Sequence, residues 1–418
     1  MRAESSVHLS DIEQAYTALC GIAHPTPLAR SRTFSELTGC DLYLKLENLQ
    51  KTGSFKIRGA YNRIRLLTET ERSRGVIAAS AGNHAQGVAY AARASGIKAT
   101  IVMPEMAPLA KIMATRGYGA EVLLHGAFYD EALAKAREVQ DATGQTMVHA
   151  FNDLAVMAGQ GTVGLEILRE LSDVSSIVVP IGGGGLISGI AVAVKTMAPH
   201  VKIYGVQAQG AAAMYLSKRE GRVQTTPSAM TMADGIAVKV PGDLTFPIIE
   251  RLVDDIAVVD DEDIAGTILM LLERSKQMVE GAGAVSLAAI LHGKLPVTGK
   301  VVSVISGGNI DVNLIARIIE RGLVRSGRRV TMTTAVADRP GTLQRLLAVV
   351  AELRANVIHV YHDRVEHNVS IGQTSIEICL ETRDPAHAEE VLAALRREGY
   401  PVEMVRMETG IGTGDYRG

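Results

Sequence analysis

The chain has 418 residues, of which 47% are hydrophobic and 21% charged, a composition that excludes disorder throughout and allows two to three domains. Its formal net charge of −2 and its aromatic content of 4% argue against a nucleic-acid-binding protein. No apolar run approaches the ~20 residues of a membrane-spanning helix, the N-terminal segment has no apolar signal-peptide core, and three cysteines are too few for a disulfide framework. These features predict a cytoplasmic protein that binds neither nucleic acid nor membrane.

Short apolar segments alternate with amphipathic stretches of helical length between Leu42 and Ile305. Such alternation predicts an α/β fold in which a parallel sheet is covered by helices on both faces. Ligands in folds of this kind bind beyond the carboxyl ends of the strands. The predicted strands are Leu42–Leu46, Val76–Ala79, Thr100–Met103, Glu121–Leu124, Thr146–His149, Ile177–Pro180, Lys202–Val206, Ile256–Val259 and Val301–Ile305.

The pattern changes at the basic segment 321–329, which we interpret as a linker. The residues beyond it predict the order βαββαβ, the plan of a ferredoxin-like domain. Its elements include strands Thr331–Ala337, Val357–Tyr361 and Val402–Met407, a strand through Ile376–Leu380, and helix Ala386–Arg397. The tail 410–418 is expected to be disordered.

One stretch matches the GxGxxG pattern of dinucleotide-binding loops, through Gly159, Gly161 and Gly164. That motif requires a preceding strand and an acidic residue about 20 positions later, and this stretch has neither. We interpret these glycines as small residues that allow close helix packing.

The glycine loop, Gly182–Gly185, has a different context, because it follows the predicted strand Ile177–Pro180 and opens a helical pattern. Residues without side chains let several backbone N–H groups face one anion at the positive end of a helix. The Gly-Lys-Ser/Thr sequence of nucleoside-triphosphate loops does not follow. The glycine loop therefore predicts a site for a single phosphate group.

Upstream, Lys56 lies between Phe55 and Ile57, directly after a Thr-Gly-Ser turn. Lysines are usually solvated surface charges. Apolar neighbours can instead keep water from the ammonium group and lower its pKa toward that of a nucleophilic amine. A phosphate site combined with an activated lysine suggests pyridoxal phosphate chemistry.

Four motifs in this order resemble those of the fold-type II pyridoxal-phosphate enzymes, and most closely those of the threonine dehydratases (threonine ammonia-lyases). They are SFKIRGA at 54–60, SAGNHAQGVA at 80–89, GGGGL at 182–186 and SGGN at 306–309. In the C-terminal part, DRPGTL at 338–343 resembles an ACT domain, which binds a regulatory amino acid in this family.

The resemblance implies a two-lobed catalytic domain over residues 1–325, similar to the tryptophan synthase β subunit, followed by an ACT regulatory domain over 326–410. The large lobe would comprise roughly residues 1–50 and 155–325, and the small lobe roughly 51–154. It also implies a homo-oligomer, by analogy a tetramer.

The resemblance further assigns roles to individual residues. Lys56 would bind the cofactor as a Schiff base and then remove the α-proton of the substrate, with Phe55 packed beside the cofactor. Ser306 would face the pyridine nitrogen, and because a hydroxyl cannot hold that nitrogen protonated as a carboxylate would, β-elimination would be favoured over transamination. The other cofactor-binding residues would be Asn83, Gly182, Gly183, Gly184, Gly185, Leu186 and Glu280, and the substrate carboxylate would be held by Ser80, Ala81, Gly82, Asn83 and His84.

A divalent cation occurs in some related enzymes beside the segment that corresponds to residues 205–213. Acidic ligands form that site, whereas this chain has Gln207, Ala211 and Ala213 there. Hard cations prefer carboxylate oxygens, so we predict no Mg²⁺ or Ca²⁺ at this segment, which leaves open the binding of a monovalent ion through carbonyl oxygens.

The activity implied by the resemblance is conversion of L-threonine, and also L-serine, to a 2-oxo acid and ammonia, in isoleucine biosynthesis or in threonine catabolism. Alternatives on the same fold are a serine dehydratase, a serine racemase and a threonine synthase. The missing cation site argues against the racemase, and the sequence FKIRG around Lys56 argues against the synthase. A regulator that binds an amino acid without catalysis is the alternative outside the enzymes.

Overall fold

The structure is a computed structural model that describes residues 6–364 and 370–405. The chain divides into two compact units between Asp311 and Val312. The sequence places the domain boundary at 325/326, at the far end of helix 312–325, which packs on the first strand of the second unit. The tail expected to be disordered, 410–418, lies outside the described residues.

The first unit holds thirteen α-helices and ten strands among its described residues. The helices are Leu9–Leu19 (α1), Arg32–Thr38 (α2), Lys56–Arg65 (α3), Glu69–Arg74 (α4), Asn83–Ala94 (α5), Leu109–Gly117 (α6), Tyr129–Thr143 (α7), Leu154–Glu170 (α8), Gly185–Met197 (α9), Ala213–Glu220 (α10), Thr245–Leu252 (α11), Asp261–Met270 (α12) and Gly281–Leu291 (α13). The strands are Leu28–Arg30 (β1), Asp41–Leu46 (β2), Val76–Ala79 (β3), Ala99–Met103 (β4), Glu121–Leu124 (β5), Thr146–Met147 (β6), Ser176–Pro180 (β7), Lys202–Ala208 (β8), Asp255–Val259 (β9) and Lys300–Ile305 (β10).

Two sheets organise the first unit. The larger has the strand order β1-β2-β10-β7-β8-β9 and is parallel except for the pair β1–β2, and the smaller has the order β5-β4-β3-β6 and is parallel throughout. Every strand predicted for this unit is present, with ends shifted by two residues at most. The sequence missed β1, because its three residues are only partly buried and show no apolar run. The predicted α/β fold is confirmed.

Helices α3 and α8 approach each other closely through glycine. A Cβ atom added at Gly159 of α8 would lie 2.6 Å from the Cα atom of Gly59 in α3. Gly161 likewise leaves room for the backbone of Gly189 in α9, 2.8 Å from where its Cβ would be. The interpretation of the GxGxxG stretch as a packing motif is confirmed.

The second unit contains helix Val312–Arg325 (α14) and a four-stranded antiparallel sheet. Its remaining elements are Arg329–Ala337 (β11), Thr342–Glu352 (α15), Asn356–Asp363 (β12), Gln373–Glu381 (β13), Pro385–Arg397 (α16) and Val402–Met404 (β14), with the sheet order β12-β13-β11-β14. The predicted βαββαβ order is confirmed, although residues 406 and 407 of the last predicted strand lie outside the described residues. Across 6–364 and 370–405, no helix is both long and apolar enough to cross a membrane.

Candidate active site

Three of the predicted loops follow the carboxyl ends of parallel strands. The Ser80–His84 loop follows β3, the glycine loop follows β7 and the segment 306–309 follows β10. The backbone N–H of Phe55 donates to the carbonyl of Ser306 over 3.2 Å, which joins the start of α3 to the end of β10. The structure thus brings Lys56 and Ser306, predicted from separate motifs, to one region.

Lys56 is the first residue of α3, and its Nζ atom donates to the carbonyl of Ala150 over 3.2 Å. The same atom lies 5.1 Å from the centre of the Phe55 ring. Burial lowers the pKa of Lys56 to about 8, although the negative charge of Glu280 opposes the shift. The amine is therefore partly uncharged near neutral pH, as a nucleophile or a base requires.

The glycine loop packs against the ring of Phe151, which follows β6. A Cβ atom on Gly183 would overlap that ring, and Gly184 has a φ of +99°, a left-handed conformation that favours glycine. Helix α9 begins at Gly185, so its first backbone N–H groups have no partner within the helix. The loop fits a phosphate group, which those N–H groups would bind.

Gly183→Ala is expected to weaken cofactor binding by roughly tenfold or more, because overpacking of a close contact costs about 1–3 kcal/mol. Titration of cofactor-free protein with pyridoxal phosphate measures the change. Gly266→Ala is the matched control, since Gly266 is exposed in α12 and an added Cβ would contact nothing within 4 Å. Wild-type affinity in Gly183→Ala would contradict the assignment of the phosphate site.

Asn83 and Glu280 form a hydrogen-bonded pair near Lys56. Asn83 Nδ2 donates to Glu280 Oε1 over 2.6 Å. Burial, assisted by the charge of Asp234, raises the pKa of Glu280 to about 7, while Lys111, Asn83 and Lys56 oppose the rise. Glu280 can thus exchange a proton near neutral pH, and its side chain is buried, with 4% exposed.

Ser306 is 2% exposed at the end of β10, and its hydroxyl donates to the carbonyl of Ala282 over 3.3 Å. A hydroxyl has one hydrogen and two lone pairs, and it can rotate toward another partner. The Ser306 side chain carries no charge. Ser306 can therefore form a hydrogen bond to a ring nitrogen but cannot neutralise a protonated one.

The Ser80–His84 loop presents backbone groups. The backbone N–H of Gly82 donates to Ser80 Oγ over 3.2 Å, which folds the loop back on itself. The ring of His84 is buried, with Nε2 2.7 Å from the carbonyl of Val148, and burial lowers the pKa of His84 to about 3. The ring is therefore neutral and engaged with the protein, so only the backbone of His84 is available to a substrate carboxylate.

A buried ion network holds the start of α3 and consists of Lys45, Glu47, Arg58 and Glu166. The three guanidinium nitrogens of Arg58 make four bonds, two to Glu47 at 2.8 Å each and two to Glu166 at 2.6 and 2.9 Å, with Nη2 donating to both carboxylates. Lys45 Nζ lies 2.7 Å from Glu166, and all four side chains are at most 8% exposed. Because Arg58 follows Lys56 by two residues, the network fixes the part of α3 that carries the lysine.

Sequence reasoning missed two parts of the site. Ala150 and Phe151 come from the connection after β6, which carries no glycine motif, although its position after a strand end was a usable signal. The Nζ atom of Lys111 in α6 also lies 2.6 Å from Asp234 in the short helix Asp234–Ile236, beside Glu280. Among the described residues, no group of three His, Cys, Asp or Glu side chains could hold a metal ion.

The residues present fit pyridoxal phosphate. The glycine loop offers backbone N–H groups for the phosphate, Lys56 offers an amine for the aldehyde, and Ser306 and Asn83 lie where polar atoms of a ring could be bound. Residues 20–307 match the family model described as pyridoxal-phosphate dependent enzyme, and residues 330–399 match that of the ACT domain. The chain belongs to the pyridoxal-phosphate-dependent enzymes and carries a C-terminal ACT domain.

Individual relatives show which members of this enzyme family the chain is similar to. The chain is 56% identical over 400 residues to an L-threonine ammonia-lyase of Thermotoga maritima, covering 96% of this chain and 100% of the relative. It is 45% identical to the catabolic L-threonine dehydratase of Escherichia coli K12, covering 75% of this chain and 96% of the relative. Among solved structures, the processed form of threonine deaminase isoform 2 from Solanum lycopersicum matches with a TM-score of 0.71 at 38% identity, over 75% of this chain and 92% of that one. Maize serine racemase matches with a TM-score of 0.72 at 37% identity, over 77% of this chain and 99% of that one.

Proposed function

We propose that this protein is an L-threonine ammonia-lyase that forms 2-oxobutanoate and ammonia and also accepts L-serine. The observation that carries the proposal is that Lys56, a half-buried amine whose pKa is lowered to about 8, and Ser306, a buried and uncharged side chain, lie in one region, joined through the Phe55 backbone. The similarity to L-threonine ammonia-lyases over nearly the whole chain supports it.

The residues of this chain can carry out the proton transfers that such a reaction needs. Pyridoxal phosphate, when bound, withdraws electrons from the α-carbon of the substrate. Lys56, with a pKa of about 8, can then accept the α-proton in its uncharged form. The β-hydroxyl leaves with a proton as water, and the released enamine is hydrolysed, so that one threonine gives one 2-oxobutanoate and one ammonia.

Purified holoprotein incubated with L-threonine tests this proposal directly. We expect 2-oxobutanoate and ammonia in equal amounts, with a slower or comparable reaction on L-serine. The similarity to a serine racemase makes chiral chromatography of the serine reaction a necessary second measurement. Accumulation of D-serine in excess of pyruvate, with L-threonine untouched, would show a racemase instead.

Ser306→Asp is expected to increase transamination relative to elimination by roughly tenfold or more, because a carboxylate at this position would favour a protonated ring nitrogen. The ratio of ammonia released to cofactor converted to its amine form measures the partition. Ser303→Ala, at a buried hydroxyl within β10, the strand that precedes Ser306, is the control. An unchanged ratio in Ser306→Asp would refute the role of Ser306.

An amino-acid effector is proposed for the second unit. A cavity of about 390 Å³ lies between the turn after β11 and the neighbouring strands. Its lining includes Asp338, Arg339, His362 and Arg364, and Arg364 lies 3.2 Å from Asp338. Groups of both signs suit the ammonium and carboxylate of a free amino acid. Thermal-shift titration with isoleucine, valine and threonine, paired with activity assays, tests the proposal, and an absence of any response overturns it.

The cellular role and the assembly are further parts of the proposal. We place the enzyme in the cytoplasm, as a tetramer, in isoleucine biosynthesis or threonine catabolism. Sedimentation of the 44.5 kDa chain decides the assembly. Growth of an isoleucine-requiring bacterium that lacks its own threonine deaminase, upon expression of this protein, would support the biosynthetic role.

A further inference from the structure

Asn309 ends the segment 306–309 and connects the cofactor-binding residues to the turn before Lys56. Its Nδ2 atom donates to the carbonyl of Thr52 over 2.8 Å and to Asn83 Oδ1 over 2.8 Å. Asn83 in turn donates to Glu280 over 2.6 Å. We call Thr52, Asn309, Asn83 and Glu280 the amide relay.

The direction of the amide relay is set at its first member. A backbone carbonyl can only accept, so the group of Asn309 that faces Thr52 must be its NH₂. The second hydrogen of that NH₂ then requires an acceptor on Asn83, which is Oδ1. The NH₂ of Asn83 consequently faces Glu280, whose ionised carboxylate accepts, so the orientation fixed at Thr52 also suits the other end of the relay.

Two glycines leave the space that the relay occupies. Gly53 has a φ of +72°, and a Cβ atom there would overlap the side chain of Asn309. A Cβ atom at Gly307 would overlap the carboxylate of Glu280 and lie 3.2 Å from Asn83 Nδ2. The hydrogen-bond geometry therefore depends on the local backbone as well as on the side chains.

The orientation of Asn83 decides what it can offer to a bound ring. An amide NH₂ has two hydrogens, and Glu280 takes one of them. The other remains available to the hydroxyl oxygen of the cofactor ring, the hydrogen-bond partner that the family resemblance implies for Asn83. If the amide turned over, its carbonyl oxygen would face that ring oxygen and repel it once it is ionised.

We propose that Asn309 is a positioning residue, which holds the Asn83 amide with its NH₂ group toward the cofactor ring. The inference rests on the cofactor-binding role of Asn83 within the proposed function. It does not depend on which amino acid the enzyme consumes, because the orientation exists before substrate arrives.

The test compares Asn309→Asp, Asn83→Ala and the double variant as holoproteins. Asp has nearly the shape of Asn, but its ionised carboxylate has no donor for Thr52 or Asn83. We expect Asn309→Asp to shift the pH titration of the visible cofactor absorbance in the same direction as Asn83→Ala. Cofactor affinity should fall roughly tenfold in each, as for the loss of one hydrogen bond. The double variant should be no worse than Asn83→Ala, because Asn309 acts through Asn83.

Asn62→Asp is the matched control. Asn62 is 1% exposed, and its Nδ2 atom donates to the carbonyl of Ala155 over 2.7 Å, a bond like that of Asn309 to Thr52. A loss of stability with an unchanged cofactor spectrum is expected of this variant. It therefore separates a general packing defect from the loss of orientation at Asn83.

A wild-type spectrum and titration in Asn309→Asp would overturn the proposal, as would additive losses in the double variant or a wild-type spectrum in Asn83→Ala. If Asn309→Asp does not fold, Asn309→Ser removes the amide without adding a charge and is read by the same criteria. Failure of the wild-type protein to release ammonia from L-threonine would refute the proposed activity alone, since these spectra are recorded without substrate.

Discussion

Lys56→Met abolishes turnover of L-threonine, by roughly 10³-fold or more, and makes the cofactor-free protein more stable. The first effect follows because methionine can neither bind the cofactor covalently nor accept a proton. The second follows from burial, which lowers the pKa of Lys56 to about 8 and so penalises its charged form in the folded protein. The corresponding gain at neutral pH is at most about 3 kcal/mol.

The gain in stability of Lys56→Met over the wild type depends on pH. In the unfolded chain Lys56 has its ordinary pKa of 10.5, so between about 8 and 10.5 the unfolded state binds more protons than the folded one. The stability of the wild-type protein therefore rises with pH across this window. The advantage of Lys56→Met should be complete below pH 8 and vanish toward pH 10.5.

Thermal unfolding of cofactor-free proteins at pH 7 and at pH 10 measures both points. Lys98→Met is the control, because Lys98 is exposed and its replacement should change stability by less than about 0.5 kcal/mol. Retained turnover in Lys56→Met would remove the lysine from the mechanism. Equal unfolding temperatures of wild type and variant at pH 7 would instead show that the amine is not buried as the structure has it.

Arg58→Met is expected to destabilise the protein by about 3–5 kcal/mol, the loss typical when one partner of a buried ion pair is removed. The substitution would leave Glu47 and Glu166 without their main counter-charge. Burial by itself raises the pKa of Glu47, but the attraction and hydrogen bonds of Arg58, with Lys45 and Thr26, together lower it. Without Arg58 the desolvation of both carboxylates is no longer compensated.

Urea unfolding of the holoprotein measures this loss. Arg32→Met provides the comparison, since Arg32 pairs with Glu36 over 2.8 Å on an exposed helix surface, where water screens the pair and its loss should change stability little. A loss below about 1 kcal/mol in Arg58→Met would show that the network is solvated in solution. Addition of Glu47→Gln to the variant should recover part of the stability, because it removes one of the stranded charges.

Much of the fold and the chemical core of the site could be predicted from the sequence. The strands of the first unit have continuous apolar stretches, and Lys56 and the glycine loop lie in short motifs whose chemistry is local. The interpretation of Gly159 as a packing residue needed only the absence of a strand before it and of an acidic residue about 20 positions after it. These features depend on residues that are close together in the chain, so they can be recognised in the sequence.

Contacts between distant segments could not be predicted in the same way. Arg58 and Glu166 are 108 residues apart and look like ordinary surface charges in the sequence. The burial of the His84 ring against Val148 depends on the pairing of β3 with β6, whose residues are about 70 positions apart in the chain. The bond between Asn83 and Glu280 depends on how the two sheets come together. Phe151, which packs against the glycine loop through its ring and its backbone, lies in no sequence motif that would have predicted this contact.

Because Gly59 and Gly159 are in close contact, the residues tolerated at these two positions depend on each other during evolution. Each accepts a side chain only if the other helix moves away, and movement of α3 would displace Lys56 with it. A single replacement at either glycine is therefore expected to impair the protein, even where nearby surface positions tolerate mutation. A directed-evolution library for altered substrate choice should keep this pair fixed and vary the loops around it.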